Sequence, residues 1–144
     1  MHELMRRFSV IHRQSAMYLD RRLRAHRMTA SQYTYILVIC ENPGISQEEI
    51  SGRLKIDKGS VARAMKQFEE TDYVVRRASP ADRRQYEIRP TQRALTAYAD
   101  IQKIAADSEE RLTRGFTPIE REVLIAILDK VLANIDESGA KNGE

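Results

Sequence analysis

The stretch from Ser46 to Thr91, SQEEISGRLKIDKGSVARAMKQFEETDYVVRRASPADRRQYEIRPT, decides how this chain is read. Ser46-Gln47-Glu48-Glu49 is a capping-box pattern, in which a serine and a glutamate three residues on satisfy each other's orphan N–H groups. It starts a short helix ending near Leu54. Asp57 caps the next helix, which runs to about Thr71 with Val61, Met65 and Phe68 along one side. After Asp72 the period changes. Tyr73-Val74-Val75-Arg76-Arg77 and Gln85-Tyr86-Glu87-Ile88 are short β-prone runs, and the turn-formers of Ala78-Ser79-Pro80-Ala81-Asp82-Arg83-Arg84 separate them as a hairpin tip. A short helix, a tight turn, a longer amphipathic helix and a basic hairpin make a winged helix-turn-helix. Such a device lays one helix in the DNA major groove with a basic loop beside it.

The flanks read as helix. A long first helix is expected from near Glu3 to about His26, with Leu4, Phe8, Ile11, Ser15 and Tyr18 at helical spacing. Thr29-Ala30-Ser31-Gln32 opens a second helix, and Asn42-Pro43-Gly44 stops it. Thr91 caps a long helix to about Arg114. Thr117-Pro118-Ile119-Glu120 opens a last one, with proline at the tolerated first position, and Gly139–Glu144 reads as a polar, frayed tail. The expected architecture is mainly α with a small β-hairpin wing. Residues 29–93 form a DNA-binding lobe, and residues 1–28 with 94–144 a helical dimerisation lobe.

Composition is compatible with this reading and narrows it. The 144 residues suffice for one domain with a hydrophobic core. No apolar run approaches the ~20 residues of a membrane span, and the N-terminus lacks the pattern of a secretory signal. The single cysteine, Cys40, forbids an intrachain disulfide, and the cytoplasm is the expected compartment. The net charge of +3 is unevenly spread. Residues 1–28 carry seven arginines against Glu3 and Asp20, and residues 73–93 carry six against Asp82 and Glu87. Phosphate neutralisation needs a basic face rather than a basic average, so this charge permits DNA binding without establishing it.

On the helix from Lys58 to Thr71, Lys58, Gly59, Ser60, Arg63, Lys66 and Gln67 lie largely away from the apolar stripe. Arginine reads guanine, glutamine reads adenine and serine reads either base, so these side-chain types suit a groove. At the hairpin tip Asp82-Arg83-Arg84 projects two cations, and a narrow minor groove attracts inserted arginine. Asp82 is expected to hold Arg84, or Arg76 across the hairpin, by ion pairing. The last helix carries an apolar stripe too broad for one small neighbour, including Ile119, Val123, Ile127 and Val131. Leu4, Phe8 and Ile11 offer a second. Pairing two copies would bury both stripes and set two reading helices about 34–36 Å apart, as a palindromic site requires.

The order of these elements, with Ile45-Ser46-Gln47 and Arg76 through Arg84, resembles the MarR family of bacterial transcriptional regulators over nearly the whole chain. The resemblance implies that Ser60 and Arg63 occupy the major groove and Arg84 the minor groove, with Ser46 and Gln47 beside them, and that Asp82 braces the wing. It also implies a homodimer built by the first and last helices. In the family, a cleft between the dimer helices and the winged domain accepts aromatic or phenolic effectors. Here His12, Arg13, Tyr18 and Tyr35 are the candidate walls. Three positions depart from the family pattern: Lys55 and Asp72 stand where glycine is frequent, and Arg89-Pro90-Thr91 replaces the usual wing exit.

The expected function is therefore a DNA-binding regulator, a repressor, that binds a pseudo-palindromic operator as a homodimer and responds to a small molecule. Two alternatives stay open: a helical interaction or scaffold module with a basic wing, and a regulator that senses oxidants through Cys40. Neither a phosphate loop, metal-ligand spacing nor a nucleophile with its base is visible, so no enzyme, metal or cofactor is expected. His12 and His26 would lie about 21 Å apart along one helix, too far to share an ion.

Overall fold

Local signals place most of the helices where expected. The computed structural model describes residues 2–141, with side chains described through Asp136. Helix α1 spans Glu3–Leu23 and passes into a 3₁₀ turn at Arg24–His26. Helix α2 spans Tyr33–Glu41; Thr29–Gln32 is a turn ahead of it, closed by the Gln32 side chain accepting from the Thr29 N–H at 3.0 Å. Strand β1 is Ile45–Ser46, α3 Gln47–Leu54 and α4 Lys58–Glu70. Strands β2, Val74–Ala78, and β3, Tyr86–Pro90, form the wing; α5 spans Gln92–Leu112 and α6 Pro118–Lys141. The tail expected from Gly139 therefore begins as helix, and residues 142–144 lie outside the described residues.

Caps fix the helix starts. The Ser46 hydroxyl accepts from the Glu49 N–H at 3.1 Å and Asp57 accepts from the Ser60 N–H at 2.9 Å. The ends use left-handed residues. At Arg27, Lys55 and Asp72 φ is +55°, +56° and +63°, and the next N–H reaches back five residues, as Tyr73 does to the Phe68 carbonyl at 2.8 Å. This is the Schellman termination, usually made with glycine. Lys55 and Asp72, two departures from the family pattern, thus adopt the conformation that glycine would supply there.

Two units are described separately, residues 1–108 and 109–144. In the first, the sheet order is β1-β3-β2, all antiparallel, with Ile88 opposite Ile45 on one edge and Arg76 on the other. Strand β1 is absent from the sequence reading, since two residues show no alternation. Ile88 is fully buried with Ile36, Ile39, Ile50, Val61, Met65, Tyr73, Ile101 and Ile104. Phe68 meets Tyr35 and Tyr73 edge-on, both with centroids 6.0 Å apart. The Thr91 hydroxyl donates to the Asp72 carbonyl at 2.6 Å and accepts from the Ala94 N–H, tying the wing exit to the start of α5.

In the second unit α5 ends and α6 begins across a turn with Gly115 at φ +82°, and Thr117 caps α6 by accepting from the Glu120 N–H. No described side chain of α6 is buried, and Ile119 and Ile135 are 72% and 62% exposed. No helix is long and apolar enough to cross a membrane among the described residues.

Removing the Ile88 side chain takes apolar contact from the sheet and the core together. Ile88→Ala is expected to cost about 2–5 kcal/mol, whereas Val75→Ala, on the exposed side of β2, should stay within about 0.5 kcal/mol. Urea unfolding of both variants checks the contrast; equal losses would contradict the placement of Ile88.

Candidate nucleic-acid interface

The start of α4 is a chain of hydrogen bonds. The Ser60 hydroxyl donates to Asp57 Oδ1 at 2.6 Å and accepts from Arg63 Nη2 at 3.0 Å. Those Ser60 contacts, with Arg63 nearby, hold the Asp57 carboxyl below its ordinary range. Gly59 leaves room for this arrangement, since a Cβ there would stand 3.3 Å from both Arg63 Nη1 and Asp57 Oδ2. Its smallness thus serves Arg63 as well as any approach of backbone to a duplex. Lys58, Lys66 and Gln67 are exposed; Lys58 reaches Glu48 at 3.4 Å and Gln67 accepts from Gln32.

The wing arginines fall into two groups. Arg76 is largely enclosed: Nε donates to Glu69 of α4, Nη1 to Gln47 Oε1 of α3 at 3.3 Å, and its guanidinium lies 5.0 Å from the Tyr86 ring centre. Arg93 likewise donates to the Thr71 carbonyl at 2.7 Å and lies over the Tyr73 ring. Arg77, Arg83 and Arg84 are exposed, and their side chains join no ion pair among the described residues. The expected Asp82 ion pair is corrected. Asp82 Oδ1 accepts from the backbone N–H of Arg84 at 2.9 Å, and its carbonyl accepts from the Gln85 N–H. A two-residue Asx turn is nearer to hand than either guanidinium, so Asp82 shapes the loop through backbone. Ser46, Gln47, Glu48, Lys58, Arg84 and Tyr86 line one cleft of about 180 Å³ where both helix starts face the wing, with Glu48 paired to Lys58. Sequence reasoning missed Glu69 and Tyr86. Tyr86 becomes visible as a partner only once the register places it opposite Ala78, diagonal to Arg76.

Elsewhere in this unit the expected effector walls do not converge. His12 lines a cleft of about 490 Å³ between α1 and the residues entering α2, with Ser15, Asp20, Tyr33 and Thr34. Arg13 instead donates to Ser9, and Tyr18 accepts from Arg22. Tyr35 is buried against Phe68, because it shares an inward face with Ile36 and Ile39. Ser15 Oγ is buried in this region without a hydrogen-bond partner. Several α1 arginines are engaged within the protein, Arg6 and Arg7 with Glu3 and Arg22 with Asp107. Among the described residues no three His, Cys, Asp or Glu groups gather as a metal site.

A capped short helix, a left-handed turn, a polar-faced second helix and an arginine-bearing hairpin define a winged helix-turn-helix protein. A family model described as MarR family matches residues 26–85. The uncharacterized HTH-type transcriptional regulator YybA of Bacillus subtilis is 31% identical over 109 residues, which cover 76% of this chain and 73% of that protein. A MarR protein from Peptoclostridium difficile superposes with a TM-score of 0.88 at 28% identity, over 94% of this chain and 88% of its own. A MarR family regulator from Listeria monocytogenes, described in complex with a 26mer DNA, has a TM-score of 0.86 at 28% identity, over 93% and 89%. The chain belongs to the MarR family of DNA-binding transcriptional regulators.

Cys40 sits among partly buried neighbours, and burial, with Glu41 beside it, raises its thiol to about 11. The neutral thiol is the unreactive form, so it persists through neutral pH and gives way only as pH rises toward that value. Alkylation at pH 8 is expected to run about 10- to 100-fold slower than for a small free thiol. Mass spectrometry of iodoacetamide-treated protein checks this, and a rate matching the free thiol would contradict the assignment.

Proposed function

We propose that this regulator is a homodimeric repressor of a pseudo-palindromic operator, released by a small molecule. The observation that carries the DNA-facing surface is the separation of the wing arginines. Arg76 and Arg93 are engaged by protein, whereas Arg77, Arg83 and Arg84 are open to solvent, with Arg84 on the cleft shared with Ser46, Gln47 and Lys58. In this reading Ser60, Arg63 and Gln67 meet base edges, Lys58 and Lys66 meet phosphates, Arg83 and Arg84 enter or flank the minor groove, and Asp82 sets the loop. Residues 29–93 serve DNA and residues 1–28 with 94–144 serve dimerisation.

The dimer is supported by apolar surface. Of the expected stripes, Leu4, Ile11, Ile119, Val123 and Ile127 are at least half exposed while Phe8 and Val131 are only partly so; Met5, Leu132 and Ile135 are also more than half exposed. Such surface marks an interface rather than a finished exterior. The effector is assigned to the α1–α2 cleft, where the unpaired Ser15 hydroxyl, His12 and Tyr33 offer polar and aromatic contacts to an aromatic or phenolic ligand. Its action would be to favour a dimer whose α4 helices are misplaced for the operator. A reducing cytoplasm suits the single, partly buried thiol.

Selection of bound sequences from a random duplex pool tests this reading. The expected product is a palindrome. Arg84→Ala should then weaken its binding by about 1 kcal/mol or more, Arg63→Ala should alter the selected sequence, and Lys66→Ala should weaken all duplexes alike. Recovery of no sequence, together with salt-independent binding, would instead favour a protein-interaction module.

A further inference from the structure

Arg76 makes contacts that no phosphate-binding arginine needs. From β2 it reaches side chains on three other elements: Glu69 on α4, Gln47 at the start of α3 and the Tyr86 ring on β3. An ion pair occupies one edge of the guanidinium, an amide oxygen engages Nη1, and an aromatic ring covers one face. The side chain is only 22% exposed. A planar fork is suited to such simultaneous contacts in a way that an ammonium is not. Gln47 and Tyr86 also line the cleft that holds Arg84 and Lys58, so what Arg76 grips is the frame of that cleft.

We infer that Arg76 is a positioning residue, a clamp that fixes the wing against both helices of the helix-turn-helix so that α4 and the wing tip meet one duplex in a single geometry. The inference rests on the DNA-binding reading above, in which Arg76 supports the residues that touch DNA without being one of them. Holding three elements in register lowers the ordering cost of binding, because the wing reaches the duplex already placed.

Glu69 gives the inference a sign. Were Arg76 a phosphate ligand, Glu69→Gln would free it and delete a negative charge near DNA, and binding would tighten. A clamp requires the reverse: neutralising Glu69 loosens the wing and weakens binding.

The test is fluorescence-anisotropy titration of the selected duplex at several salt concentrations, using wild type, Arg84→Ala, Arg76→Ala, Arg76→Lys, Glu69→Gln and the Glu69→Gln/Arg76→Ala double variant. Amide exchange of residues 79–85 is followed in the free proteins. Arg76→Ala and Glu69→Gln should each weaken binding about tenfold, and the double variant should be no weaker than Arg76→Ala alone. Arg76→Lys keeps the charge without the fork and should resemble Arg76→Ala. The log–log salt slope should stay at the wild-type value for the Arg76 variants, while Arg84→Ala lowers it by about one. Wing amides should exchange faster in Arg76→Ala and Glu69→Gln. Tighter binding by Glu69→Gln, a reduced slope for Arg76→Ala, or unchanged affinity of both would overturn the clamp. If wild type binds no duplex in a salt-dependent way, the DNA-binding reading fails, and exchange alone judges the clamp: faster wing exchange upholds it and unchanged exchange refutes it.

Discussion

The DNA-binding unit depends on β3 being paired on both edges. Strand β2 hydrogen-bonds it on one side and the two residues of β1 on the other, so the residues just before α3 and those just after α4 close onto one strand. The helix-turn-helix is thereby clasped at its two ends. At the middle of the clasp Ile88 faces Ile45 and packs into the same core as Ile50, Val61 and Met65, so sheet pairing and helix packing reinforce each other. A hairpin alone would be marginal in water, and a third strand with a buried face is what makes it a fixed wing.

Charge on this frame is not interchangeable. The six arginines of residues 73–93 look alike in a formal count, yet three already have partners within the protein: Arg76 on Glu69 and Gln47, the exposed Arg89 toward Glu87, and the exposed Arg93 on the Thr71 carbonyl and Tyr73 ring. The open ones, Arg77, Arg83 and Arg84, sit on the outer part of the hairpin. Helix α1 follows the same rule, with Arg6, Arg7 and Arg22 in ion pairs. A basic count overstates the field available to a polyanion, and pairing geometry decides which cations remain to act on it.

What was legible in the residues was local. Ser46, Asp57, Thr91 and Thr117 announce helix starts because a cap involves groups only two or three residues away, and each forms such a bond. The stripe Val61, Met65, Phe68 was readable because helical period alone fixes it. The pieces that escaped are non-local. Strand β1 exists only because β3 comes alongside it, and the partners of Arg76 are set by a register that a seven-residue loop does not encode on its face. Tyr35 shows the same limit from another side: its phenol suggested a pocket wall, but the face it shares with Ile36 and Ile39 turns it into the core beside Phe68. Asp82 stands out in a basic loop as an expected ion-pair partner, but its carboxylate accepts from the Arg84 backbone N–H instead.

Hydroxyl-radical footprinting on the selected operator decides whether two copies of this unit read one duplex from the same face. Two protected regions related by two-fold symmetry are expected, centred one helical turn of about 34–36 Å apart, each with flanking minor-groove protection from a wing. A single asymmetric patch, or uniform protection without phase, would contradict it.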